Sequence, residues 1–324
     1  RQWTTFHPEF AYLPRKFKIA INGSQEDRAA IEVHDIGLEP VRNAAGELGF
    51  RVLVGGGLGR TPVVGSFINE FLPWQDLISY LDAILRVYNR YGRRDNKYKA
   101  RIKILVKALT PEVFAEKVEA EMVHLRGGTT TLTEAEVQRV SRHFVDPEYL
   151  ALDNVDYTAL DAEHPGFARW RSRNTRAHKR PGYVAVTLSL KPTGVAPGDL
   201  TDKQLDAVAD LAERYSFGFL RTSHEQNIIL ADVEQRQLHA LWLELREGGF
   251  ATPNIGLLTD IICCPGGDYC SLANAKSIPI AESIQRRFDD LDYLFDIGEI
   301  DLNISGCMNA CGHHHVGHIG ILGV

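Results

Sequence analysis

Cys264-Pro265-Gly266-Gly267-Asp268-Tyr269-Cys270 and, further on, Cys307-Met308-Asn309-Ala310-Cys311 are the stretches from which the rest of this chain is best understood. The 324-residue chain has five cysteines, and four of them fall into these two tight pairs. Thiolate is a soft ligand, and four gathered thiolates suit an iron–sulfur cluster or zinc. Structural zinc knuckles use Cys-x2-Cys to Cys-x4-Cys spacing. The Cys264–Cys270 gap is wider, and its Pro-Gly-Gly run lets the loop fold around something bulkier than one ion. Disulfides and buried free thiols are the plainer readings. No secretory signal or cysteine-dense small-domain composition is visible, which points to a reducing compartment. Cys263 reads as a small buried side chain rather than a ligand.

A second informative stretch is Leu13-Pro14-Arg15-Lys16-Phe17-Lys18-Ile19-Ala20-Ile21-Asn22-Gly23. Phe17, Ile19 and Ile21 alternate with Lys16, Lys18 and Ala20, which predicts a strand with both lysines on one face. Their Cβ atoms would then lie about 7 Å apart. Like charges at that distance repel by about 0.6 kcal/mol in water and about 2 kcal/mol at an effective dielectric near 20. A small anion between them would reverse the cost, and a solvated strand face is the plainer alternative.

Both motifs resemble those of the sirohaem-containing sulfite and nitrite reductases. The resemblance lies in Cys-x5-Cys followed by Gly-Cys-x-Asn-x-Cys-Gly, and in Leu-Pro-Arg-Lys-Phe-Lys. It extends over essentially the whole chain. It implies an α+β sirohaem/iron–sulfur reductase fold with mixed α/β cofactor domains and a ferredoxin-like half-repeat. It implies a 4Fe-4S cluster held by Cys264, Cys270, Cys307 and Cys311, with Cys311 also bridging to the sirohaem iron. Lys16 and Lys18 would then bind the oxyanion substrate, with Arg15 and Asn309 close to the cofactors. Family members are longer. The start at Arg1 without methionine and the stop at Val324 inside an apolar run suggest a chain cut at both ends, with further anion-binding arginines upstream.

Four segments are expected: a first sirohaem/4Fe-4S domain over 1–125, a connector over 126–180, a ferredoxin-like half-domain over 181–249, and a second, truncated sirohaem/4Fe-4S domain over 250–324. In the first, residues 30–36 and 50–54 read as strands. Gly55-Gly56-Gly57 follows the second of these. A glycine run there means a strained turn or close approach to a ligand, and Thr61-Pro62 prevents the helix that a dinucleotide fingerprint needs. In the reductase family this run packs on the sirohaem. Apolar residues from Leu77 to Tyr91 recur at helical spacing. Beyond them, Lys97, Lys99, Arg101 and Lys103 would share one face if the segment is a strand. Sirohaem carries eight carboxylates, which arginine recognises through its planar fork, so Arg94, Asn96, Lys99 and Arg101 are its candidate partners.

Thr110-Pro111-Glu112 and Thr133-x-x-Glu136 look like helix starts. The stretch 126–180 is otherwise polar and reads as a surface connector without chemistry. Residues 183–190 predict a strand, Thr201-x-x-Gln204 caps a helix to Tyr215, residues 217–222 and 227–231 form a hairpin, and a helix follows around 237–247. This is a ferredoxin-like half-unit, in which Arg221, His224 and Gln226 read as structural. The histidines at 313, 314, 315 and 318 invite a metal assignment, but consecutive side chains are expected to diverge.

A net charge of −6 argues against general nucleic-acid binding, and no apolar run reaches the ~18 residues that a membrane span needs. No targeting segment is visible, so a cytoplasmic enzyme is expected. The implied reaction is the six-electron reduction of sulfite to sulfide, with nitrite to ammonia as the alternative and a non-catalytic iron–sulfur or zinc module behind both. No flavin or nicotinamide motif is present. Electrons must therefore come from outside, from a ferredoxin or a flavoprotein reductase subunit.

Overall fold

The computed structural model describes residues 2–324, in two units that divide between Val145 and Asp146. In the first unit, helix α1 (Gln2–Phe6) precedes a four-stranded sheet of β1 (Ile19–Ile21), β2 (Ile36–Arg42), β3 (Leu48–Val54) and β4 (Ser66–Pro73). These strands lie in sequence order, with β1 parallel to β2 and the other pairs antiparallel. Helices α2 (Leu77–Tyr91), α3 (Ile102–Leu109), α4 (Pro111–Met122) and α5 (Glu134–Ser141) follow. The core joins Ile36, Leu38, Val52 and Val54 of the sheet to Tyr80, Ile84 and Tyr88 of α2, Ile102 and Val106 of α3, and Phe114 and Val118 of α4.

The caps follow the sequence signals. Thr110 Oγ1 accepts from the Val113 N–H ahead of Pro111, and Thr133 accepts from the Glu136 N–H. The Glu136 carboxylate pairs with Arg139 instead. Two readings are corrected. Residues 30–36 do not form one strand: Ile31–Val33 is a turn of 3-10 helix pinned by the Asp27 side chain on the Ile31 N–H at 3.0 Å, and β2 begins only at Ile36. The segment from Ile102 is helix α3, with Arg101 as its extended N-cap residue. Ile102, Leu105, Val106 and Leu109 recur at helical spacing, and burying that stripe outweighs the period-two pattern of the basic residues.

The second unit opens with α6 (Thr158–Glu163) and α7 (Pro165–Asn174). It continues through β5 (Thr175–Ala177), β6 (Tyr183–Leu188), α8 (Asp202–Tyr215), β7 (Arg221–Thr222), β8 (Ile228–Glu234) and α9 (Leu238–Gly248). The strands make an antiparallel sheet in the order β5-β6-β8-β7. Thr201 and Gln204 form a reciprocal capping box on α8. The connector expectation fails for α7: Phe167 and Trp170 are fully buried in this core beside Leu241 and Trp242 of α9. A third core lies around β9 (Ile262–Cys263), α10 (Ile278–Arg287), α11 (Leu291–Ile297), β10 (Leu302–Ser305) and β11 (Ile319–Leu322). Here the sheet is parallel in the order β11-β10-β9, with Cys263 opposite Ile304. Among the described residues, no helix is long and apolar enough to cross a membrane.

Candidate functional site

In the second unit, both cysteine loops leave the carboxyl ends of parallel strands, where open sheets place their ligands. Cys264 follows β9 and Cys307 lies two residues past β10. The loops are laced together. The Cys264 N–H donates to the Ile304 carbonyl at 3.1 Å, and the Asn274 and Ala275 N–H groups both donate to the Gly306 carbonyl. The Gly306 N–H points at Cys264 Sγ from 3.1 Å, Ser277 Oγ stands 3.5 Å from the same sulfur, and Asn309 Nδ2 donates to Cys307 Sγ at 3.5 Å. Within the first loop, the Cys270 N–H closes onto the Gly266 carbonyl. Cys307 is buried, Cys264 and Cys270 are half-buried, and Cys311 is exposed. Cys263 is buried, and burial, with Cys264 beside it, pushes its thiol up to about 12.

Among the described residues, no three His, Cys, Asp or Glu side chains converge closely enough to hold a single metal ion. Consecutive histidines do not simply diverge here. His314 and His315 have ring centroids 3.9 Å apart, one buried and the other exposed. His318 instead accepts the Asp301 N–H through Nδ1.

In the first unit, a buried carboxylate organises a group of cations. Asp35, 1% exposed, accepts the Lys18 N–H at 2.9 Å through Oδ2 and Arg101 Nη2 at 3.1 Å through Oδ1, while its backbone carbonyl accepts the Gly55 N–H. Lys103 is buried under the glycine turn, donating to the carbonyls of Leu58 at 3.1 Å and Thr61 at 2.6 Å. Burial lowers its pKa, and the positive fields of Arg101 and Arg15 add to that, against the opposing pull of Asp35. Arg101 pairs with Asp35 directly, and Lys103 feels the fields of Asp35, Arg101 and Arg15 together, so basic side chains gather near this one carboxylate. His34 is kept toward its neutral form by burial first, with Lys18 adding to the effect.

The predicted residues are placed unevenly. The strand expected to carry both lysines is shorter: β1 starts at Ile19 because its partner β2 starts at Ile36. Lys18 extends that pairing by one bond, its carbonyl accepting the Ile36 N–H, whereas Lys16 and Arg15 lie in the lead-in. Gly55 adopts φ +88°, and a Cβ on Gly56 would meet the His34 carbonyl at 2.5 Å. The chain's own backbone therefore demands glycine at these two positions. Gly57 faces the Lys103 stem. Arg94 caps the exposed end of α2, on Asn89 and the Tyr88 ring. Asn96 accepts the Tyr98 N–H, and Lys99 is exposed in the same loop. Asp35 and Lys103 were missed as organising residues. The available signal was a carboxylate flanked by apolar Ile31, Val33 and Ile36, since a buried charge needs partners.

Residues 1–125 match the nitrite and sulphite reductase 4Fe-4S domain, and residues 177–248 match the nitrite/sulfite reductase ferredoxin-like half domain. Both stretches are domains of the nitrite and sulfite reductase family. Relatives in this family include sulfite reductase (ferredoxin) 2 of Mycolicibacterium paratuberculosis, 28% identical over 98% of this chain and 51% of its own length. The assimilatory ferredoxin-dependent nitrite reductase of Haloferax mediterranei is 29% identical over 96% and 50%. The solved structure of the Mycobacterium tuberculosis NirA protein aligns with a TM-score of 0.67 at 25% identity, covering 95% of this chain and 50% of that one. The α+β sirohaem/iron–sulfur reductase fold is therefore the fold of this chain. The chain spans about half the length of the curated relatives it matches.

The cofactors of the reductase family are sirohaem and a 4Fe-4S cluster. The residues present fit both. Four thiols stand on two interlaced loops, with N–H donors aimed at two sulfurs, the kind of hydrogen bonding that tunes cluster potential. The basic residues gathered near Asp35 suit a polycarboxylate.

Proposed function

We propose that this chain supplies the catalytic residues of a six-electron sulfite reductase, with six-electron nitrite reduction to ammonia as the alternative. The observation that carries the reading is the Gly306 N–H on Cys264 Sγ, because it ties the second cysteine loop to the first ahead of any metal. Cys264, Cys270, Cys307 and Cys311 would hold the cluster, and the exposed Cys311 would also reach the sirohaem iron. When bound, the two groups supply electrons singly and an iron that accepts the anion. Lys16 and Lys18 stabilise the anion's negative oxygens and hold protons for the departing oxygens. Asp35 fixes the Lys18 backbone. Arg15, Arg94, Asn96, Lys99, Arg101 and the Gly55–Gly57 turn would hold the sirohaem, and Asn309 steadies Cys307.

Relatives with both activities lie at similar identity. Sulfite is preferred here on Cys-Pro-Gly-Gly-Asp-Tyr-Cys and Gly-Cys-Met-Asn-Ala-Cys-Gly. The electron donor in this reading is a ferredoxin or a flavoprotein reductase subunit, and the compartment a reducing cytoplasm. The test is a spectrum of the purified full-length protein followed by steady-state rates with both anions. Sirohaem and cluster absorption with a higher kcat/KM for sulfite is the expected result. A colourless protein would remove the reading, and a preference for nitrite in both kcat and KM would replace sulfite with nitrite.

A further inference from the structure

Gln226 adopts φ +60°, a region that residues with a Cβ seldom occupy. The strained backbone aims its side chain at one peptide unit. Gln226 Nε2 donates to the Cys263 carbonyl at 2.9 Å, and Gln226 Oε1 accepts the Cys263 N–H at 2.8 Å. That is the pairing a neighbouring strand would offer. Strand β9 is the edge of its parallel sheet, bound to β10 on one side only. The glutamine amide takes the place of the missing strand, one residue before Cys264.

The loop holding Gln226 is itself fixed from below. Lys191 and Asp260 form an almost fully buried ion pair at 2.6 Å. Lys191 Nζ also donates to the Glu225 carbonyl, and Asn227 Nδ2 donates to Asp260 Oδ1 at 3.0 Å. Asp260 Oδ2 accepts the Gly256 N–H, and Asn227 Oδ1 accepts the Leu190 N–H. A buried ion pair is weak support for stability, but breaking one is costly, so it holds the loop in one arrangement. The half-domain loop 223–227 and the segment 254–263 are thereby joined through side chains on both sides of Gln226.

We propose that Gln226 is a positioning residue for the iron–sulfur cluster, holding the Cys263 backbone so that the Cys264 thiolate stays in place. This rests on Cys264 being a cluster ligand, and the experiment separates the two. Gln226→Ala, Gln226→Glu and Cys264→Ser are made in the full-length holoenzyme. Iron and acid-labile sulfide per chain, the rate of iron release to a ferrous chelator, and far-UV circular dichroism are then compared with wild type. Gln226→Ala is expected to release iron about tenfold faster at unchanged circular dichroism, the low end for a residue acting behind a metal ligand. Gln226→Glu keeps the acceptor for the Cys263 N–H but loses the donor, so it should fall between. Should Gln226→Ala not fold, Gln226→Glu decides: faster release with a native spectrum supports the role. Wild-type release from the glutamine variants, with cluster loss in Cys264→Ser, overturns the positioning role and leaves the ligand assignment standing. Full iron and sulfide in Cys264→Ser overturns both.

Discussion

Asp35 uses both carboxylate oxygens on groups central to the proposed anion site, the Lys18 backbone and the Arg101 guanidinium. Asp35→Asn keeps the shape but turns an N–H group toward one of those two donors and removes the charge opposite Arg101. Loss of one hydrogen bond to a charged group costs about 2 kcal/mol, and a urea titration should show a loss of that size. Lys16→Ala and Lys18→Ala belong to a different class. Each should lower sulfite turnover by about 100-fold, as expected for a positioned proton donor, at unchanged sirohaem and iron content. Loss of cofactor instead would make the lysines structural. The cysteine pairs and the Lys16–Lys18 stretch stand out in the sequence because each lies within a few residues. Asp35 does not, because its partners are distant in sequence and only the fold brings them together.

At the scale of elements, the capped helix α8, strand β8 and the helix after it were legible from period and caps, because each signal is local, whereas of the strand expected over 217–222 only Arg221–Thr222 pairs with β8. Thr201→Ala removes one half of a complete capping box and should cost about 1 kcal/mol in thermal or urea unfolding. Helix α7 was not legible. Its sequence is polar enough to read as a loop, and only its burial of Phe167 and Trp170 against α9 makes it core. Phe167→Ala should therefore cost about 3–5 kcal/mol, whereas a surface connector would give a change within about 0.5 kcal/mol. The alternating basic residues from Lys97 to Lys103 misled for the opposite reason. Charged positions need follow no period, while the apolar stripe of α3 does.

Across the whole molecule, acid should destabilise both units through histidines that folding keeps neutral. His34 in the first unit is held below the usual histidine range by burial first. The hydrogen bond to the Ala30 carbonyl opposes that shift, and Lys18 reinforces it. His239 in the second is lowered by burial and by His164, its ring 4.6 Å away. In the unfolded chain each takes a proton near 6.5, whereas the folded state binds it only at lower pH. Below 6.5 the unfolded state therefore holds more protons, and stability falls as pH drops, levelling once the folded sites fill. The slope cannot exceed about 1.4 kcal/mol per pH unit per histidine, and solvent at half-exposed rings lowers that ceiling. The two lie in different cores, so His239→Gln should flatten the acid limb of the second unit's unfolding and leave the first unit's limb unchanged. Urea midpoints at pH 7.5 and 5.5, followed by probes in each unit, measure this. A midpoint that rises on acidification, or a His239→Gln variant with the wild-type slope in the second unit, would show that burial does not keep these rings neutral.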